Sequence, residues 1–457
     1  VVGRVAPMPV QRVTADSCPG VLRPFQASDG ALARFRAPGG ALPVATLRGL
    51  RDVAAELADG DLGLTSRGNM QVRGVAAENL GPLEARMAAL GLLPHPTHER
   101  VRNILASPLS GVGFTSIEDV GELVGALDGG LCARRDLMEL PGRFMFGLDD
   151  GTGDIAGEEP DVLVRAVQPG RFVLSASGSS AGVELGRARV VEAALYAATV
   201  FLSERSQQGS KAWRVQELPG GADAMVAALA ADGFGTSIDL DKEPQADRST
   251  APGLTEQKDG RFAVCAVVPL GILNSEQMDA VVACCELATD TELAELEQLD
   301  GADPADEFAA AVLDGRLLDG TAAEQTPLRI TPWRRVIIRD LELPAALAAQ
   351  ELLASTGLVT EAASAWSRVT ACAGQPGCAK SLTDVQADAR IFAEAVTPQG
   401  PLVHWAGCGR ACGTPHGAVA LLAAEGGYRV LGTLGETDRN VAASSSIGTK
   451  DESPQHD

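Results

Sequence analysis

The sequence predicts an α+β protein built from two related halves. Three observations predict it: a segment that occurs twice, a strand–helix–strand opening in each copy, and four clustered cysteines in the second copy only. The repeat is clearest between residues 62–75, LGLTSRGNMQVRGV, and residues 328–341, LRITPWRRVIIRDL. Thr65 falls on Thr331, Val72 on Ile338 and Arg73 on Arg339, an offset of 331 − 65 = 266. Without a gap, that offset also sets Gly91-Leu92 on Gly357-Leu358 and Arg102 on Arg368. Upstream, Asp29-Gly30 matches Asp259-Gly260 and Glu56-Leu57-Ala58 matches Glu286-Leu287-Ala288, at an offset of 259 − 29 = 230. The extra 266 − 230 = 36 residues of the second copy fit the acidic stretch 289–325, read as a surface insertion.

The elements follow in order. Residues 33–37 (ARFRA) alternate apolar and basic side chains, as a half-buried strand does. Over residues 46–57, Leu47, Leu50, Val53, Ala54 and Leu57 recur at helical spacing. Met70 and Val72 alternate again, and a helix over 83–90 stops at Gly91. In the second copy, Cys265 lies in a strand-like run (RFAVCAVV), and Cys284 and Cys285 in a helical one (MDAVVACCELA). For most of these three cysteines and the isolated Cys18 and Cys132, buried packing is the better reading. The expected division is a first half-domain over 20–95, an α/β domain without cysteine motif over 96–241, and a polar linker over 242–258. A second half-domain over 259–358, a cysteine domain over 359–441 and a disordered tail over 442–457 complete it.

Composition narrows the class. The 457 residues allow two to four domains. Aromatic residues are only 4%, so the core must rest on Ala, Val and Leu. A net charge of −22 argues against nucleic acid as a partner, which needs a basic surface, but leaves room for a locally basic cleft. The opening VVGRVAPMPVQRV lacks the pattern of a signal peptide, and the apolar run over 190–202 is too short to span a bilayer. A cytoplasmic protein with reduced thiols and no membrane contact is the expectation.

The four clustered cysteines read Cys372-x5-Cys378 and Cys408-x3-Cys412. Four thiolates in two short groups can hold an iron–sulfur cluster. A structural zinc site is the alternative, although zinc knuckles favour two to four intervening residues. On a helical turn, Cys408 and Cys412 would share one face. Gly407, Gly409 and Gly413 leave room for backbone to approach a cluster, and Pro376-Gly377 bends the other loop.

These residues carry a resemblance. TACAGQPGC followed by GCGRAC resembles the cluster motif of the nitrite and sulfite reductase superfamily, LTSRGNMQVRG its Thr-x-Arg strand, and VRNILASPLSG its Arg-Asn segment. The resemblance spans about residues 29–435. It implies a 4Fe–4S cluster on Cys372, Cys378, Cys408 and Cys412. It also implies a duplicated nitrite/sulfite reductase-like architecture: two ferredoxin-like half-domains and two α/β domains, related by a pseudo-twofold, around a tetrapyrrole-sized cleft. Arg67, Arg102 and Arg143 match its anion-binding positions. Where the reductases carry a further lysine, this chain has Met145 in LPGRFMFG. Proton delivery to sulfite or nitrite draws on that lysine, so Met145 points away from the siroheme-dependent sulfite or nitrite reductases, which stand as the alternative.

ARFRAPGG, LPGRFMFGLDDG, RITPWRRVII and HWAGCGRACG are similar instead to the precorrin-3B synthase family of aerobic cobalamin biosynthesis. That resemblance implies a dioxygen-dependent monooxygenase acting on precorrin-3A, with NADH as electron source and a mononuclear non-haem iron. The substrate bears several carboxylates, which arginines bind bidentately. Arg34, Arg36, Arg67, Arg73, Arg102 and Arg143 are the candidate clamp. His404 and His416, flanking the cysteines, are the candidate iron ligands, with Asp149 and Asp150 at a strand end as further acidic candidates; His95 and His98 precede the Arg102 segment. No G-x-G-x-x-G opens a helix, so electrons from NADH are expected through a separate reductase.

Overall fold

The computed structural model describes residues 16–240, 250–296, 326–395, 400–415 and 417–431. In the first half, β1 (Phe25–Ala27), β2 (Gly30–Phe35), β3 (Leu62–Leu64) and β4 (Met70–Val75) form an antiparallel sheet in the order β1-β2-β4-β3. Two helices complete this half, α1 (Val44–Leu57) and α2 (Leu80–Ala89). Leu47, Leu50, Val53 and Ala54 form the buried stripe of α1, as their spacing predicts. Gly91, at φ 72°, ends α2 in the left-handed conformation that glycine adopts without strain.

The second half repeats this plan. Its sheet comprises β11 (Gly253–Glu256), β12 (Phe262–Val267), β14 (Leu328–Ile330) and β15 (Arg335–Leu341), in the order β11-β12-β15-β14, with α6 (Ser275–Leu296) and α7 (Leu343–Ser355). One apolar core runs through both halves and includes Leu47, Leu50, Cys284, Cys285 and Ile338. Each half also extends the other's sheet. β13 (Ile272–Leu273) pairs with β3, and Ala41 bridges to Arg329 within β14.

The duplication holds at the level of single backbone angles. Gly68 and Arg334, 266 residues apart, take φ of 61° and 56°. Their turns close alike, Thr65 N–H to Asn69 O at 2.9 Å and Thr331 N–H to Arg335 O at 3.0 Å. A non-glycine residue in this region costs about 1–2 kcal/mol, and Arg334 adopts it because the repeated turn demands it.

The two α/β domains are related in the same way. β5 (Ile104–Ala106), β6 (Phe146–Asp149) and β7 (Val162–Gln168) are parallel, and β8 (Arg171–Ala176) returns antiparallel. β16 (Val369–Ala371), β17 (Val403–Ala406) and β18 (Val419–Ala424) are likewise parallel, with β19 (Gly427–Leu431) antiparallel. The first domain adds β9 (Ala181–Gly186) and β10 (Thr236–Asp239), and packs α3 (Gly121–Ala133), α4 (Val190–Gln207) and α5 (Gly221–Ala231) into its own core. The second has one described helix, α8 (Val385–Ala395).

Several expected boundaries shift. The stretch read as a linker, 242–258, contains the whole of β11, because Gly253–Glu256 pairs with β12. The helix α6 continues to Leu296, so the expected insertion start at 289 falls within a helix; residues 297–325 and the tail 442–457 lie outside the described residues. Among the described residues, no helix is long and apolar enough to cross a membrane.

Candidate functional site

Parallel pairing sets the carboxyl ends of β16 and β17 side by side, the place where open α/β sheets present functional loops. Cys372 follows β16 and its N–H bonds Trp405 O at 2.9 Å; Gly407 and Cys408 follow β17. The Gly407 N–H donates to Cys372 Sγ at 3.3 Å. A side chain at Gly407 would meet Ser381 Oγ at 1.8 Å, so this approach requires glycine. Burial pushes the Cys412 thiol up, and the neighbouring Cys408 and Cys372 thiols push it further. Cys378 sits between the Gly377 carbonyl, which accepts from Arg73 Nη2 at 2.7 Å, and Ser381, whose N–H bonds Cys378 O at 3.0 Å. Residues 407–415 form turns rather than the expected helical turn; Ala411 has φ 43° and its N–H closes back on Cys408 O. Sulfur donors on two tight loops, one receiving a backbone N–H, suit an iron–sulfur cluster. The other five cysteines are buried.

The arginines fall into two groups. Arg34, on β2, reaches Gln71 Oε1 at 2.9 Å and lies 3.9 Å from Cys18 Sγ. Arg143 stacks over the Trp213 ring at 4.8 Å. Burial, and after it the charges of Arg214, Arg143 and Arg34, lowers Arg67 to about 10. Among the described residues, no carboxylate pairs with the Arg67 guanidinium. Arg143 also acts on the Cys412 thiol, so this cationic group extends to the cysteine loop.

Three other candidates are already engaged within the fold, which corrects their reading as open clamps. Arg36 is 1% exposed, donating to Asn103 Oδ1 (3.3 Å), Pro19 O and Arg34 O. Arg73 is held by both oxygens of Asp29, at 3.0 and 3.1 Å, while it grips Gly377. Arg102 is held bidentately by Asp128, at 2.7 and 2.5 Å.

Two residues escaped the sequence reading. Arg214 pairs with the buried Asp161, Nε to Oδ2 at 2.7 Å, and Asp161 also accepts the Met145 N–H at 2.9 Å. Met145 itself turns inward among Leu105 and Ile155. The position that carries no lysine is therefore tied, through Asp161, to an arginine beside Arg67. The one available signal was Trp213-Arg214, an aromatic–basic pair in an aromatic-poor chain. Asn103 is the second. Its Oδ1 accepts from Arg36 and Asn69, and its Nδ2 donates to Gly142 O and Phe144 O, fixing the segment that carries Arg143.

The histidines assemble no metal site among the described residues. His404 is fully buried, Nδ1 2.9 Å from Thr370 Oγ1 and Nε2 3.2 Å from Cys412 O; burial, then Arg334, lowers it to about 3. His416 lies outside the described residues. His98 is buried between Thr97 Oγ1 and Arg134 O, both at 2.9 Å. Asp149, Asp150 and Asp154 do bring ligand atoms within 4.8 Å of one another. Yet Asp149 accepts N–H groups from Gly151, Gly153, Ile155 and Ala156, and burial with Asp149 beside it raises Asp154 to about 8. An all-carboxylate group does not fit a histidine–carboxylate iron of the oxygen-activating kind.

A family model for the nitrite/sulfite reductase ferredoxin-like half domain matches residues 25–90. A precorrin-3B synthase from a Sinorhizobium species is 24% identical over 423 residues, covering 91% of this chain and 82% of that protein. Sulfite reductase [ferredoxin] 2 of Mycolicibacterium paratuberculosis is 28% identical over 130 residues, 28% of this chain and 23% of the relative. A ferredoxin–nitrite reductase of Synechococcus elongatus is 29% identical over 126 residues, 26% and 25% of the two chains. The solved structure of the Mycobacterium tuberculosis NirA protein superposes with a TM-score of 0.67 at 18% identity, covering 90% of this chain and 77% of that one. The chain thus has the nitrite/sulfite reductase-like fold with its ferredoxin-like half domain, and along nearly its whole length it resembles precorrin-3B synthase.

Proposed function

We propose that the protein is a precorrin-3B synthase, an oxidoreductase of aerobic cobalamin biosynthesis. The observation that carries this is the group of Arg34, Arg67, Arg143 and Arg214 beside the Cys412 loop, in a chain whose relative of matching length bears that name. In the proposed reaction, precorrin-3A is hydroxylated at C20 and a ring A acetate closes a γ-lactone. One atom of dioxygen enters the macrocycle, and the other leaves as water with two electrons from NADH. Cys372, Cys378, Cys408 and Cys412 would hold a 4Fe–4S cluster, which supplies one-electron transfer when bound. The chain's own part is to hold the substrate. Guanidiniums bind carboxylates as planar forks, and the unpaired Arg67 is available to do so. In the absence of a dinucleotide fingerprint, we assign NADH to a separate reductase partner. No step is assigned to a mononuclear iron.

The test is turnover of precorrin-3A under 18O-dioxygen by cluster-loaded protein supplied with a reductase. Label at C20 is expected, with kcat/KM falling roughly a hundredfold in Arg67→Ala, the loss of one charge-assisted fork. A siroheme absorption band in the purified protein, with sulfite or nitrite reduction, would replace this reading with the reductase alternative.

A further inference from the structure

The chain itself places a carboxylate among the arginines. Residues 16–22 cross the basic group as a strap. The strap is anchored where the Val21 and Leu22 N–H groups bond Glu99 Oε2 at 2.7 and 3.2 Å. Arg36 Nη1 donates to Pro19 O at 3.1 Å, and Arg100 Nη1 to Cys18 O at 3.4 Å. At its leading end, the Asp16 side chain is 5% exposed, with Oδ1 lying 3.7 Å from Arg143 Nε. Among the described residues, that Oδ1 accepts the Cys18 N–H alone, at 3.2 Å.

The fit is poor on both sides. Among the described residues, Asp16 Oδ2, Arg34 Nε and Arg143 Nε are buried atoms without a hydrogen-bond partner, although the Arg143 side chain as a whole is 41% exposed. A buried ion gains from pairing only when hydrogen bonds satisfy its remaining donors and acceptors, and Asp16 leaves one oxygen unmet while Arg34 and Arg143 each leave one Nε–H unmet. A bidentate carboxylate seated on Arg34 and Arg143 would satisfy donors that Asp16 does not reach. Cys18, buried as expected, carries the strap past Arg34.

We infer that Arg34 and Arg143 form a carboxylate subsite, that Asp16 is its resident stand-in, and that a carboxylate-bearing ligand displaces the strap to bind. This rests on the proposed anionic ligand and deepens it: one carboxylate of that ligand goes to Arg34–Arg143. A subsite closed in part of the population weakens apparent affinity by the fraction that is open, so removing Asp16 should strengthen binding.

Calorimetric titration of the cluster-loaded full chain tests this with two probes: uroporphyrin, an iron-free macrocycle with eight carboxylates, and citrate. Asp16→Asn is expected to bind both roughly fivefold or more tightly than the unsubstituted chain. Gly142→Ala gives an independent route. Its new Cβ would meet Cys18 Cβ at 2.8 Å and Asp16 Oδ2 at 3.0 Å, lifting the strap and raising affinity in the same direction. A gain for citrate with no uroporphyrin binding would uphold the subsite and sink the tetrapyrrole reading. Unchanged or weaker binding of both probes, in variants with unaltered circular dichroism, would show Asp16 to be a support for Arg143 and overturn the inference.

Discussion

The loops after β5 and β6 and those after β16 and β17 leave equivalent strand ends, and they solve the same problem differently. In the first domain, Ser107 Oγ donates to Asp154 Oδ1 at 2.6 Å and accepts the Asp150 N–H at 3.1 Å, tying one loop to the other. Asp149 gathers four backbone N–H groups and fixes its own loop. In the second domain, the Gly407 N–H reaches Cys372 Sγ, and four thiols face the task that carboxylates and a hydroxyl perform in the first. The surrounding cores differ in the same sense. The first domain buries Phe144, Phe146, Phe172 and Phe201 among many aliphatic side chains; the second has Val369, Val385, Trp405, Leu270 and a few alanines. A small core needs a staple. The contrast predicts a first domain that holds itself together and a second whose stability depends on a group held by its cysteines.

The sharpest way to break that contrast is to remove the staple. In Cys408→Ala, iron and acid-labile sulfide should fall to background, and amide exchange in β16–β19 should accelerate roughly a hundredfold while β5–β10 stays protected. Equal protection of both sheets would end the argument.

A smaller effect concerns the clamps. Arg73 grips Gly377 O on the cysteine loop, and its repeat partner Arg339 reaches Pro108 O and Ser110 O (3.4 and 3.3 Å) on the matching cysteine-free loop. Each change to Ala should cost about 1–2 kcal/mol in denaturant unfolding. Only Arg73→Ala should also speed loss of the brown cluster absorbance to a chelator. Equal rates for the two variants would mean that the clamps do not discriminate between the loops.

The smallest effect is a pH dependence. Burial raises Asp154 to about 8, above its ordinary value near 3.8. Its contribution to stability is therefore complete below about pH 4 and fades as pH rises through 8. Melting temperature should decline between pH 5 and 8, and Asp154→Asn should flatten that slope. An unchanged slope would assign the dependence to other groups.

What the sequence revealed, and what it hid, follows from range. The repeat, the apolar stripe of α1 and the cysteine spacing are local patterns, and residues a few positions apart carry them. Alternation over 33–37 put Arg34 and Arg36 on the opposite face to the apolar residues, but not what covers that face. The strap and Asn103 cover it, so Arg36 is buried where periodicity suggested a free charge. Arg102 looked like a ligand-binding arginine until α3 supplied Asp128, and Arg214 entered the site only because Asp161 on another segment holds it. Which partner neutralises a charge is a property of tertiary packing, and one sequence does not contain it as a pattern.

The exchanged edges between the half-domains carry a consequence for how the chain could be taken apart. Ile272 and Leu273 complete the sheet of the first half, while Ala41 and Leu42 meet Arg329 and Leu328 in the second. Cutting the chain within residues 241–249 would leave each fragment with an open sheet edge and an exposed part of the shared core. Fragments made separately should aggregate, and fragments made together should recover one another. The duplicated half-domains have become complementary pieces, each lending the other a sheet edge and part of its core.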